Sequence, residues 1–280
     1  MIADGLVISS PVLSAEQAAV LETFVVPRYL SFFGELAVEM MLASAGGARV
    51  AHLGCRVGYP DRLIVQKIRG ATVTSIDPSL PALELARNKS AVMGSAAIEY
   101  IEGTQYPTAL TSDAFSHVLT LHPIADVVGR AVLFREMRRL MYEGGQALVA
   151  LPLRGSFQEV ADLLREYALK VDDRELDRAV EDSVVERPSI ESLSDELEAA
   201  GFDDVDVEIR HTTLAFPSGR AFVEDPISRL LILPEMHVLL GGVDLKRPLE
   251  YLRDAIDKYW SEGEFDLTLQ VGCASARQPR

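Results

Sequence analysis

The chain has two cysteines, one tryptophan and no cluster of cationic residues, and each shortage removes a class of protein. Cys55 and Cys273 are too few and too far apart for a disulfide framework and fit a reducing compartment. A net charge of −15 without a Lys/Arg run argues against a phosphate-neutralising surface, so nucleic acid is not an expected partner. His52, His117, His122, His211 and His237 show no ligand spacing, and no metal site is expected. The most apolar stretch, Leu230 to Val243, is interrupted by Pro234, Glu235 and His237, too short and too polar to span a bilayer. The opening "MIADGLVISSPVLSAEQ" lacks a basic segment followed by an apolar one, so a cytoplasmic location is expected, with no membrane partner.

What is present is a chain 48% hydrophobic, enough to fill a core. Residues 14 to 45 are expected as two helical pieces broken near Pro27. From residue 48 strand and helix alternate. "ARVAHLG" is a strand, Pro60 and Asp61 suit a helix start and Gly70 its end. "TVTSID" closes on Asp77, Ser79 suits the cap of the next helix, and Gly94 its end. "AIEYIEG" and "FSHVLTLH" read as strands. Leu133, Met137, Leu140 and Met141 mark one helical face, with Gly144 and Gly145 as its stop. "QALVALPL" is a strand covered on both faces.

A helix through Phe157 and Leu164 follows. The acidic stretch Asp172 to Glu186 reads as a solvated helix face and linker. Ser189 then caps a further helix closed by Gly201, before the strands "DVDVEIR" and "EFDLTLQVG". The pattern predicts an α/β fold, a doubly wound, mainly parallel sheet with an antiparallel edge. The expected domains are an N-terminal helical cap (1–46), a Rossmann-like cofactor-binding core (47–216), a helical insertion (217–263) and the last strand with its tail (264–280). The insertion is either a cap over a site or a surface for a second subunit. Its Tyr251, Tyr259 and Trp260 read as core or interface rather than cavity lining.

The first strand-to-helix turn, "HLGCRVG", places Gly54 and Gly58 where ligands bind in doubly wound sheets. Asp77 follows at about 20 residues, the distance at which an acid can hold ribose hydroxyls. These residues resemble the class I S-adenosylmethionine-dependent methyltransferases. "VAHLGCRVG" is similar to that family's glycine motif, "SIDPS" to the end of its second strand, and "EGTQYPTALTSDAFSHVLT" to the segment before and along its fourth strand. "REMRRLMYEGGQALVALP" and "SIESLSDELEAAGFDDVDV" resemble its later helix-and-strand segments. The resemblance implies a Rossmann-like fold, S-adenosylmethionine as cofactor, and contacts from His52, Gly54, Arg56, Gly58, Asp77, Pro78, Thr104 and Gln105. His122, after the fourth strand, lies where the family places substrate-facing residues and is the candidate general base.

Four positions depart from the family pattern. His52 stands for the acid that helps hold the methionine ammonium, and Arg56 for the middle glycine. Thr104 and Ser116 stand for aspartates. Arg56 does not easily adopt a positive φ; its side chain either fills the cofactor space or binds the methionine carboxylate. Glu102 and Asp113 are the candidates to restore an acid. The resemblance implies a methyltransferase acting on a small molecule. The lost acids imply the alternative, an inactive methyltransferase fold serving as a binding or regulatory module with a protein partner on the insertion, homodimerisation included. A nicotinamide dehydrogenase is disfavoured, because three residues separate the glycines instead of the G-x-G-x-x-G arrangement.

Overall fold

The computed structural model describes residues 10–43, 47–92 and 97–279. Its strands are β1 (Arg49–Leu53), β2 (Thr72–Asp77), β3 (Ile98–Glu102), β4 (Phe115–Leu121), β5 (Met141–Pro152), β6 (Asp203–Phe216) and β7 (Phe265–Arg277). Because successive strand side chains point to opposite faces, the apolar runs in the middle of the sheet feed two cores. Val50, Leu119, Leu121, Leu148 and Ala150 enter one; Ala51, Leu53, Val118, Ala147, Val149 and Leu151 enter the other. The seven strands lie in the order β3-β2-β1-β4-β5-β7-β6. β1 pairs in parallel with β2 and β4, whereas β7 is antiparallel to β5 and β6. Strand order therefore reverses between β1 and β4, and the carboxyl ends of those two strands flank the cleft where this fold takes ligands.

The helices are α1 (Ala15–Val20), α2 (Ser31–Met40), α3 (Asp61–Lys67), α4 (Leu80–Val92), α5 (Val127–Leu140), α6 (Gln158–Val171), α7 (Arg174–Glu186), α8 (Ile190–Ala199), α9 (Gly219–Glu224), α10 (Leu233–Leu239) and α11 (Lys246–Tyr259). Helices α5 and α8 cover one face of the sheet with Leu133, Phe134, Leu193 and Leu197. The N-terminal helices, α6, α7 and the helical segment 219–259 cover the other. Ser189 caps α8 through its hydroxyl, as its position predicts. Among the described residues no helix is long and apolar enough to cross a membrane.

Several local expectations are corrected. Pro27 does not break the N-terminal helix, which continues from Ala15 to Met40, because Leu21–Leu30 between α1 and α2 is π-helical. A wider turn absorbs a residue that has no N–H to give and crowds the turn before it. Gly144 and Gly145 lie inside β5 rather than at the end of α5. The helix stops at Leu140 because Met141 turns extended and pairs with Phe115. α3 ends at Lys67, ahead of Gly70. Residues 174–186 form a full helix that buries Leu176 and Val180, more than a solvated linker. Gly94 and the first nine residues of the opening segment lie outside the described residues.

Candidate functional site

The turn after β1 is fastened to β2 before any side chain is considered. Gly54 N and Cys55 N both donate to Ile76 O, at 2.9 and 3.2 Å. Gly54 and Gly58 take φ of 68° and 77°, which glycine adopts without strain. Arg56 between them takes φ of 49°, against the expectation that an arginine avoids this region. Three hydrogen bonds hold it there. Its N–H donates to Asp77 Oδ2 at 2.9 Å, Nη1 to Leu121 O at 2.9 Å and Nη2 to His122 O at 2.7 Å. The guanidinium is 2% exposed and bridges from the β1 turn to the carboxyl end of β4. Arg56 thus takes up a positive φ that its residue type disfavours, with its side chain turned onto the end of β4.

Asp77 lies at the end of β2, as the sequence places it, and is fully buried. Its Oδ2 accepts from Ser10 Oγ at 2.8 Å as well as from Arg56 N, and its Oδ1 accepts from Ser79 N at 2.9 Å. Burial pushes its pKa up, against the pull of these donors and the Arg56 charge. The Ser79 hydroxyl both accepts from Leu13 N and donates to Leu13 O, at 3.0 Å each. Ser10 and Leu13 are therefore held against the carboxyl end of β2. Pro78 is buried between Asp77 and Ser79.

His52 is buried and turned to α3. Its Nδ1 lies 2.6 Å from Asp61 Oδ1 on α3, and Asp61 Oδ2 accepts from Ser75 Oγ at 2.6 Å. Tyr100 on β3 adds a hydrogen bond to Asp61. The acid near position 52 is thus Asp61, one the sequence reading assigned only to a helix start. Asp113 and Ser116 lie at the amino end of β4, across the sheet from the cleft, where the Ser116 hydroxyl bonds the backbone of Arg49. Neither belongs to the site. Glu102 is exposed at the end of β3, and Thr104 and Gln105 are exposed on the loop that follows it.

His122 is buried rather than substrate-facing. Its ring stacks on Phe33 with centroids 5.6 Å apart and packs against Tyr29 at 5.5 Å. Nε2 lies 3.4 Å from Glu235 Oε1, and Glu235 Oε2 accepts from Arg187 Nη2 at 2.9 Å. Burial pulls the His122 pKa down. Burial pushes Glu235 upward, but Arg187 and His122 outweigh it and hold the carboxyl at about 2. The helical segment 219–259 thus reaches over the sheet and docks through Glu235, the acid that interrupts its apolar run. A buried acid in an apolar helix demands a partner, and that was the one signal of this cluster visible in the sequence. Ser10, Tyr29, Phe33 and Arg187 gave none.

The glycine turn also borders a cavity of about 460 Å³ between α3 and α4, lined by Tyr59, Leu63, Ile98 and Tyr100. Of the predicted site residues only Gly58 touches it.

A sequence model of the methyltransferase domain matches residues 51–149, the span from β1 through most of β5. Over that span the chain is similar to the methyltransferase domain, and its sheet has the methyltransferase Rossmann-like fold. The YcgJ protein of Bacillus subtilis shares its fold at 13% identity and a TM-score of 0.59, over 89% of this chain and 99% of that one. Phosphoethanolamine N-methyltransferase 2 of Haemonchus contortus matches at 14% identity and 0.54, over 96% of this chain and 61% of that one. The [4+2]-cyclase SpnF matches at 16% identity and 0.53, over 99% of both chains. A comparison with curated proteins gives no match.

The residues present do not fit S-adenosylmethionine. A sulfonium and an ammonium need acids or acceptors near the glycine turn, and the carbonyls of Leu121 and His122 at the end of β4 are already taken by a buried guanidinium. The one retained acid, Asp77, already has its oxygens engaged by the chain itself.

Proposed function

We propose that this chain is a methyltransferase-fold protein that does not transfer methyl groups and serves as a binding or regulatory module. The observation that carries the reading is the Arg56 guanidinium laid across the carbonyl oxygens of Leu121 and His122. Its departure would leave two strand-end carbonyls and the guanidinium itself without partners, and a buried unpaired polar group costs about 1–3 kcal/mol, more for a charged one. The carboxylate of S-adenosylmethionine could pair with the guanidinium, but, being an acceptor only, it has no donor to give the two carbonyls.

The small-molecule methyltransferase reading rests on Gly54, Gly58 and Asp77, which keep their places in the turn. It needs the Arg56 guanidinium to turn from the β4 carbonyls to the ligand's carboxylate, and a base only where the acceptor arrives protonated; His122 is enclosed by Tyr29, Phe33 and Glu235. The same fold in a cyclase is consistent with a chain that keeps the frame for another purpose. The partner of such a module is a small molecule or a protein, a second copy included.

Titration calorimetry with S-adenosylmethionine and S-adenosylhomocysteine tests the proposal. The wild-type chain is expected to give no binding heat at about millimolar ligand, and Arg56→Gly to gain affinity for S-adenosylhomocysteine. A wild-type dissociation constant at or below about 100 μM, roughly −5.5 kcal/mol, overturns it.

A further inference from the structure

We propose that the cavity between α3 and α4 is a binding site for a small aromatic monocarboxylate, separate from the cleft at the glycine turn. The inference goes beyond the proposed function and does not need it, because Arg56, Asp77 and His122 form no part of the cavity wall. The space has a cause in the sequence. The buried face of α4 carries Ala82, Ala86 and Ser90 beside one larger residue, Leu83, and α3 stops at Lys67 after seven residues. Small side chains at i, i+4 and i+8 lie along one helical face, and a short neighbouring helix leaves their flank uncovered. The resulting cavity of about 460 Å³ is bordered by Ile98 and Tyr100 of β3. Its size falls in the roughly 300–1,000 Å³ range of small-molecule sites and exceeds the voids that packing leaves in a core.

The wall is apolar at depth and charged at the mouth. Tyr100 is buried, Tyr59, Leu63 and Ile98 are half-buried, and Arg62 and Gln66 are exposed. The Tyr100 hydroxyl is engaged by Asp61, so this residue brings the cavity a ring rather than a donor. Rings and branched side chains suit a flat aromatic body, which packs on aromatic side chains in offset or edge-to-face geometry.

Charge selects the other end of the ligand. Lys89 Nζ pairs with Glu22 Oε2 at 2.6 Å, the acid coming from the π-helical stretch. Arg62 has no acid partner among the described residues. The cavity thus carries one cation in excess, in a chain of net charge −15. A carboxylate balances that charge and can take a guanidinium as a bidentate pair. A phosphate monoester brings about −1.5 to −2 and would find only one cation without a partner.

The test is a ligand-observed NMR titration of the full chain with cinnamate and with its uncharged counterpart, cinnamamide. Wild type is expected to bind cinnamate with a dissociation constant at or below about 1 mM, and at least about threefold more tightly than cinnamamide. Arg62→Gln, a change at an exposed residue, should weaken cinnamate about threefold and leave cinnamamide unchanged. Leu63→Trp, which fills the cavity, should weaken both at least about tenfold, with circular dichroism to confirm its fold. No cinnamate binding by wild type overturns the inference, as does cinnamate affinity unmoved by Leu63→Trp. Equal binding of acid and amide, or an Arg62→Gln variant that weakens both alike, overturns the carboxylate assignment. S-adenosylhomocysteine added to the cinnamate complex separates the two readings. If it binds without displacing cinnamate, the proposed function fails and this inference stands; if it displaces cinnamate, the cavity is not a separate site and the inference fails.

Discussion

His52 Nδ1 and Asp61 Oδ1 approach to 2.6 Å in a part of the sheet closed to solvent. The pair joins β1 to the first turn of α3 and is extended by Ser75, whose hydroxyl donates to the other carboxylate oxygen. An acid near the glycine turn is thus present but spent on holding strand to helix.

Asp61→Leu should therefore cost stability, not ligand affinity. It leaves His52 and Ser75 buried without their acceptor, and removing one member of a buried polar pair costs about 3–5 kcal/mol. The double variant His52→Leu, Asp61→Leu should recover part of that loss, because no orphaned polar group remains. Urea denaturation of the singles and the double decides the matter. A double variant less stable than the sum of the singles would rule out a coupled pair.

Gly58 is constrained twice over. A Cβ there would lie 2.5 Å from Tyr100 Oη, and its φ of 77° disfavours any other residue. Gly58→Ala should lose about 2–4 kcal/mol, a sum of overpacking and backbone strain. In a Tyr100→Ala background, measured against that single variant, Gly58→Ala should cost only the backbone share, about 1–2 kcal/mol. No cost of Gly58→Ala in that background would mean the backbone contributes nothing.

The parts of the fold legible in the sequence were those set by local pattern. The strand endings at Gly54 and Asp77, the cap at Ser189 and the antiparallel close of the sheet each follow from short-range chemistry. The site was half legible. Positions of Gly54, Gly58 and Asp77 follow from the βαβ pattern, but what fills the cleft comes from segments far away in the chain. Ser10 reaches Asp77 across 67 positions, and Arg56 reaches the end of β4 across 65. No local spacing encodes such meetings. Pro27 misled for a related reason: a proline rule written for α-helices does not anticipate a π-helical stretch.

Arg56 offers a way to separate side-chain anchoring from backbone strain. Arg56→Ala removes two hydrogen bonds to strand-end carbonyls and keeps a non-glycine residue at a φ of 49°. A loss of about 2–4 kcal/mol is expected, since the carbonyls are left without a donor. Arg56→Gly loses the same bonds but relieves the backbone, and should be more stable than Arg56→Ala by about 1 kcal/mol. Thermal or urea unfolding reads the order. If the alanine variant is the more stable of the two, the left-handed strain assigned to Arg56 is absent.

The cluster of His122, Glu235 and Arg187 makes stability fall with acid through two groups that begin to titrate at different pH. Glu235 has an ordinary carboxyl pKa of 4.5 in the unfolded chain and about 2 in the folded one. A carboxyl depressed by folding stabilises the native state above its unfolded pKa, and that stability is lost as pH falls through the folded value. Its share is roughly 3 kcal/mol, gone between about pH 5 and pH 2. His122 starts earlier. Burial lowers its pKa below the ordinary 6.5, so below about pH 6.5 the unfolded chain takes a proton that the folded chain refuses, and stability falls as acid is added. His122→Phe, which keeps the stack on Phe33, should flatten the stability profile just below pH 6.5 and leave the lower limb. Glu235→Gln should flatten the limb below pH 4.5 and, having removed the carboxylate that favours the imidazolium, leave the His122 window in place. Urea unfolding across pH 3 to 8 measures both. A Glu235→Gln profile parallel to wild type below pH 4.5 would show that the Arg187 pairing does not hold this carboxyl ionised.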